Sequence, residues 1–141
     1  MEQYKDFLDI AIFAILGMMS IITIGVGIER TLFYKSVAVE EYTHQKELEL
    51  ALGNNLTIIS TIASNAPYIG LLGTVFGIIL TFYTIGSNGM ADSNAIMMGL
   101  ALALKATAFG LVVAIPAIVF HNYLVRKMEV LMMQLEIHHG N

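Results

Sequence analysis

Lys105 is the one charged residue inside the long apolar stretches of this chain, in the run Leu102-Ala103-Leu104-Lys105-Ala106-Thr107. It lies about ten residues, or ~15 Å, from the near end of its stretch, too deep to reach water along its own stem. A charge at that depth in a bilayer costs at least about 2.5 to 3.5 kcal/mol, so the side chain must face a partner, water or a pore. Two chemistries are open to it: pairing with an acid, or a neutral or carbonyl-bonded lysine buried in a subunit contact. An acid partner has to come from another chain, because between Leu50 and Met128 the sequence holds no carboxylate except Asp92. Thr74 and Thr107 sit at similar depth on the second and third stretches. Their hydroxyls can hold water or orient a proton carrier, but they cannot titrate as a carboxylate does. Proton movement through a membrane needs a group that gains and loses a proton there, so this chain alone is an incomplete proton path. A membrane threonine more often bonds back to its own helix carbonyl. That is the reading for Thr81 and Thr84, and it competes for the other two.

The elements that must position these residues are helices. The chain of 141 residues is 57% hydrophobic and 13% charged, with a mean hydropathy of +0.73, which points to a membrane rather than a soluble class. The fold class is all-α, a single membrane domain over residues 1–141 with three transmembrane helices. Spans are expected at about residues 10–28, 56–85 and 95–121, each long enough for the roughly 20 residues a bilayer requires. The last two exceed that length and should tilt or project into water. The leader of the first span carries Glu2, Asp6 and Asp9 against Lys5, the wrong charge for a cleaved signal, so it reads as a retained helix. Arg30, Lys35 and Lys46 follow the first span and Arg126 and Lys127 the third, which places the N-terminus outside and the C-terminus in the cytoplasm. The loop at residues 86–93 has turn chemistry, with Asp92 or Ser93 as N-cap of the third span, so spans two and three form an antiparallel hairpin. Residues 29–55 read as a cytoplasmic helix stopped at Gly53-Asn54-Asn55. Leu48 and Leu52 make a docking face conceivable there, but a solvated extension of the membrane helices is the expectation. The segment 122–141 reads as a tail, with His138 and His139 at a solvated end.

The two spans of the hairpin carry matched stripes. Gly70, Gly73, Thr74, Gly77, Thr81 and Thr84 fall within about 60° of one line on their helix. Gly99, Ala103, Ala106, Thr107, Gly110, Ala114 and Ala117 occupy an arc of about 100° on theirs. Small stripes let helix backbones approach, and Gly73-x-x-x-Gly77 is a GxxxG pair. Packing accounts for the glycines and alanines without further function. No cysteine is present, no metal constellation or nucleophile–base set appears, and no cofactor or enzymatic activity is expected. Without a basic cluster, nucleic acid is not an expected partner. Three helices make a poor solitary pore, so a homo-oligomer with a second, acid-bearing subunit is expected in the lipid bilayer.

The segment Ala66-Pro-Tyr-Ile-Gly-Leu-Leu-Gly-Thr-Val-Phe-Gly-Ile78, and the run from Gly99 through Lys105-Ala-Thr107-Ala to Ala114-Ile-Pro116 and Asn122, resemble the two signature helices of the ExbB/TolQ/MotA proton-channel family, most closely its ExbB branch. The resemblance covers both spans, their hairpin and the order and orientation of three helices. It implies a pentamer of three-span subunits in the bacterial inner membrane, N-terminus periplasmic, enclosing single-span ExbD-like subunits with a membrane aspartate. It further implies that the proton gradient drives motion passed to a TonB-like protein for uptake across the outer membrane. Thr74 and Thr107 match the family's pore-lining threonines, and Pro116 matches its Ala-Ile-Pro.

One departure bears on mechanism. Five residues before that threonine the ExbB and TolQ branches usually carry glutamate, and here the position is Leu102, with Lys105 where the family is apolar. The two positions lie about 60° apart around the helix, so the charge has moved and changed sign. A scheme in which the partner aspartate alone carries the proton, its pKa lowered by a ring of Lys105, fits better than one needing a glutamate on this chain. Within the family, a TolQ-like stator of the Tol-Pal envelope system is the alternative, while the short central loop leaves little room for a flagellar stator's large cytoplasmic domain. Outside it, the rivals are a small secondary transporter, which predicts broken helices and repeats, and a structural scaffold. If Lys105 pairs with a partner acid, Lys105→Met should impair energised uptake in cells and leave the oligomer's mass unchanged. Uptake at the wild-type rate would remove the pairing.

Overall fold

A long apolar segment satisfies its backbone in hydrocarbon by bonding every N–H and C=O within itself. The computed structural model describes residues 2–88 and 93–139, with four α-helices among them. These are α1 (Glu2–Ser36), α2 (Gln45–Gly53), α3 (Leu56–Asn88) and α4 (Ser93–His139), with a 3-10 turn, Val39–Glu41, after α1. At 1.5 Å per residue, α1 and α3 are about 50 Å long and α4 about 70 Å. Each outruns the roughly 30 Å of hydrocarbon in a bilayer. The apolar windows of α1, α3 and α4 are long enough to cross a membrane, and only 22%, 17% and 33% of each is buried within the chain. Most of their apolar surface must therefore be covered by lipid or by neighbouring subunits.

The helices run past the spans expected from hydropathy. α3 continues through Gly86 to Asn88, so the start of the expected loop is helical. Residues 89–92 lie outside the described residues, and with them the N-cap role considered for Asp92; Ser93 opens α4. The segment after 121 is helix to His139 rather than a loose tail. Pro67 and Pro116 each remove one backbone donor, yet α3 and α4 remain continuous through them.

α3 and α4 pack antiparallel: Ala66 meets Gly110, Gly73 meets Ala106, Gly77 meets Ala103 and Thr81 meets Gly99. α1 lies along the pair, parallel to α4. Ile12 reaches toward Gly73, Phe13 sets its ring edge on Phe109 at 4.9 Å, and the Phe120 ring fits over Gly27.

Residues 45–53 depart from the expected solvated extension. Instead of prolonging α1, they form a separate helix of 9 residues, α2, packed on α4. Leu48 and Leu52, one turn apart, are completely buried, as are Leu124 and Leu135, and Met128, Leu131 and Met132 pack against the same cluster. The physical reason is that outside the hydrocarbon, burying a leucine gains about 2 kcal/mol, whereas an isolated helix of under about 12 residues is marginal in water. Asn55, at φ 68°, reverses the chain into α3, a left-handed conformation that asparagine tolerates.

α1 also grips the end of α2. The Arg30 side chain is 4% exposed. Its guanidinium donates to the carbonyls of Ala51 at 2.7 Å and Leu52 at 3.4 Å, and to the Glu29 carboxylate. The Tyr34 hydroxyl donates to the same Leu52 carbonyl, and the Phe33 ring lies 4.5 Å from the guanidinium carbon. These donors satisfy carbonyls that the last turn of a helix leaves unpaired, at the negative end of its dipole.

Leu48→Ala should therefore loosen α2 alone. With about 2 to 4 kcal/mol lost from a buried leucine, hydrogen exchange of the α2 amides should speed up by roughly two orders of magnitude while α3 keeps its protection. Unchanged exchange in α2 would contradict the docking.

Candidate functional site

The site begins with small residues, because only they let the α3 and α4 backbones touch. A Cβ placed on Gly70 would stand 2.6 Å from the Ala106 carbonyl oxygen and 3.0 Å from the Gly110 Cα. One placed on Gly110 would stand 2.7 Å from the Ala66 carbonyl oxygen. Here backbone meets backbone, and no rotamer change can relieve an added methyl. Gly73 and Gly77 meet the Ala106 and Ala103 methyls at 2.7 and 2.8 Å in the same sense. Gly99 is closed over by the Thr81 side chain, whose hydroxyl bonds back to the Gly77 carbonyl at 2.8 Å. Both stripes read from the sequence thus face one another, α3 to α4.

At this separation the Thr74 hydroxyl crosses the gap. It donates to the Ala103 carbonyl on α4 at 2.8 Å, with the Gly70 carbonyl on its own helix at 3.4 Å as a weaker alternative. Thr74 is buried, 6% exposed, and its oxygen also meets the Thr107 oxygen in a hydrogen bond. The Thr74 hydroxyl has one proton and a carbonyl can only accept, so Thr107 is the donor to Thr74. The result is a directed chain from Thr107 to Thr74 to the Ala103 carbonyl, spanning the two helices. In that direction the half-buried Thr107 oxygen presents lone pairs to whatever lies beyond it.

The other residues singled out from the sequence are not gathered here. Lys105 is two positions from Thr107, so it projects about 160° away around α4. It is exposed on the isolated chain and, among the described residues, makes no hydrogen bond or ion pair. Leu102 is 50% exposed, on the same side of α4 as Lys105. Pro116 stands at the surface rather than in the α3–α4 contact. The structure therefore joins Thr74 to Thr107 and sets Lys105 and Leu102 on a different flank. Sequence reasoning misses the Ala103 carbonyl, a backbone group that leaves no trace in residue type. It also treats Arg30 only as an orientation charge, although the neighbours Glu29 and Tyr34 hint at a held guanidinium.

With three apolar helices long enough to cross a membrane, a small-residue hairpin and a hydroxyl pair at its centre, the chain has the form of a multi-pass membrane subunit. Residues 25–137 match the MotA/TolQ/ExbB proton channel family, and the chain belongs to that family. A biopolymer transport protein ExbB from Aquifex aeolicus is 51% identical over 140 residues, covering 99% of this chain and 95% of the relative. An ExbB-like 2 protein of Helicobacter pylori is 53% identical over 135 residues (96% and 90%). The biopolymer transport protein ExbB of the same species is 50% identical over 131 residues (93% and 90%).

The close approach can be tested by adding one methyl. Gly110→Ala should force α3 and α4 apart and lower stability by about 1 to 3 kcal/mol, the usual result of overpacking. Gly25→Ala, where a Cβ meets nothing within 4 Å, should leave the thermal midpoint in detergent unchanged or slightly raised. Equal midpoints for the two variants would mean that the backbone contact does not limit the hairpin.

Proposed function

We propose that this chain is the ExbB-type subunit of an energy transducer in the bacterial inner membrane, driven by the proton-motive force. It forms a pentamer, with its N-terminus periplasmic and the C-terminal end of α4 in the cytoplasm. The ring houses ExbD-like single-span subunits whose membrane aspartate carries the proton, and the resulting motion passes to a TonB-like protein that powers uptake across the outer membrane. The observation that carries this reading is the Thr107–Thr74–Ala103 hydrogen-bond chain, set in spans that contain no carboxylate. The hairpin supplies oriented hydroxyl groups and a cation but nothing that titrates as an acid, which is the complement of a partner bearing one. The names of the near-full-length relatives favour the TonB-type output over a Tol-type stator.

In this scheme a partner acid meets two different environments on one subunit. Near Thr107 it finds lone pairs, which hydrogen-bond a protonated carboxyl and disfavour a carboxylate. Toward Lys105 it finds a cation, which favours the carboxylate. A secondary transporter with a substrate site at Lys105 finds no support in the continuous α3 and α4, because such sites are built on broken helices.

Thr107→Val should reduce proton-driven uptake by roughly tenfold, the worth of one buried hydrogen bond of about 1.4 kcal/mol. Thr81→Val, which loses only a bond within its own helix, should have a much smaller effect in the same cellular assay. Equal losses would return both threonines to packing. The mass of the detergent-extracted complex, with and without a co-expressed single-span subunit carrying an aspartate, tests the housing directly.

A further inference from the structure

Away from the hairpin, the seam between α1 and α4 holds two adjoining concavities. One, of about 180 Å³, is lined by Thr31, Tyr34, Lys35, Tyr123, Lys127 and Gln134, among others. The other is an open apolar groove formed by Pro116, Val119 and Phe120, and it shares Thr31 and Tyr123 with the first. No carboxylate lines either of them. Of the acids close in sequence, Glu29 binds Arg30 and Glu129 faces Arg126 at 3.7 Å, and Glu40, Glu41 and Glu136 are not among the lining residues. Two lysines thus line one cavity, otherwise largely apolar, with no carboxylate among its lining residues, and the Lys127 ammonium lies 5.9 Å from the centre of the Tyr123 ring.

Depth gives this cavity its meaning. Lys35 is about 10 Å along α1 beyond Ile28, and Lys127 about 9 Å along α4 beyond His121, where the apolar runs end. The headgroup layer adds about 5 to 7 Å to each side of the hydrocarbon, so the two Cα atoms lie just beyond it and their side chains, which lean toward the helix N-termini, point back into it. The apolar groove lies on the hydrocarbon side, at Pro116 to Phe120. The order along the seam is therefore cation pair and neutral donor first, then an apolar channel, which is the order of groups along a phospholipid.

We propose that the seam between α1 and α4 binds one anionic glycerophospholipid. Its phosphate sits between Lys35 and Lys127, with the Tyr123 hydroxyl as a neutral donor. One acyl chain follows Pro116, Val119 and Phe120 into the bilayer. A free phosphate would leave the apolar groove uncovered, and a choline headgroup would bring a third cation to the lysines. The site rests on the membrane placement of the helices and not on the proton reading.

Native mass spectrometry of the detergent-extracted complex tests the site, after incubation with phosphatidylglycerol, phosphatidylcholine or inorganic phosphate. The wild type should retain about one phosphatidylglycerol per chain and neither of the other two. Lys35→Gln with Lys127→Gln should weaken retention by about thirtyfold, the combined worth of two interfacial lysines, and the paired Arg variants should restore it. Val119→Trp, which fills the groove and leaves both charges, should also reduce retention. The proposal is overturned if the double Gln variant retains phosphatidylglycerol like the wild type, or if phosphatidylcholine or phosphate binds equally well. It also falls if Arg126→Gln, on an exposed residue outside the cavity, has the effect of the double variant.

Discussion

The contact of backbone on backbone where Gly70 meets Gly110 and the Ala106 carbonyl is the constraint on which the rest of the hairpin depends. In hydrocarbon, apolar side chains gain nothing by leaving lipid for protein, so two helices associate through close dispersion contact and hydrogen bonds across the gap. Both fall off steeply with distance. A helix pair held apart by leucines would leave the Thr74 hydroxyl bonded to its own Gly70 carbonyl. At the separation the glycines permit, the Ala103 carbonyl at 2.8 Å wins over the Gly70 carbonyl at 3.4 Å. The small stripe thus decides which acceptor the threonine uses, and so turns a packing motif into an ordered polar chain.

The chain packs by different rules at its two levels. Where α3 and α4 touch from Gly70 to Thr81 the facing positions are glycine, alanine and threonine, while Ile59, Ile62 and Val113 are buried nearer the α2 end. Beyond the spans, on α2 and the last turns of α4, the buried positions are Leu48, Leu52, Leu124 and Leu135. The change tracks the solvent. Where water competes, a large side chain gains by burial, and where lipid competes, only proximity helps. Arg30 stands at the junction, its guanidinium shared between Glu29 and the C-terminal carbonyls of α2, and it fixes the one short helix to the long α1. No buried side-chain donor or acceptor among the described residues lacks a partner, so the junction is polar without being uncompensated.

Much of this is legible in the sequence, for a definable reason. The stripe of Gly70, Gly73, Thr74 and Gly77 and its counterpart from Gly99 to Ala117 follow from 100° per residue alone, and their mutual contact follows from residue size. The fate of residues 45–53 is not legible. Leu48 and Leu52 are equally compatible with an exposed ridge and a docked face, and only the position of Met128 and Leu131 on a distant helix decides between them. Hydropathy also misplaces helix ends where the apolar run stops but backbone bonding does not, as after His121. The separation of Lys105 from Thr107 is different in kind, because it needs no tertiary information: two positions along a helix point nearly opposite ways.

That opposition carries a mechanistic consequence for any acid brought in by another chain. A side chain that titrates between two states needs surroundings that prefer each state in turn. If one environment stabilised both forms equally, the proton would have no reason to move. On α4 the two groups are separated in angle: an accepting oxygen at Thr107, whose proton is directed to Thr74, and the Lys105 side chain about 160° around the helix. Moving the cation onto the Thr107 flank would merge the two and hold the acid ionised throughout. An apolar residue at 105 would leave the ionised form nowhere to rest, at a depth where an unpaired charge is disfavoured by several kcal/mol. In the proposed assembly, Leu102 and Lys105 on one flank and Thr107 on the other thus keep both stations on this chain while leaving the proton itself to its partner.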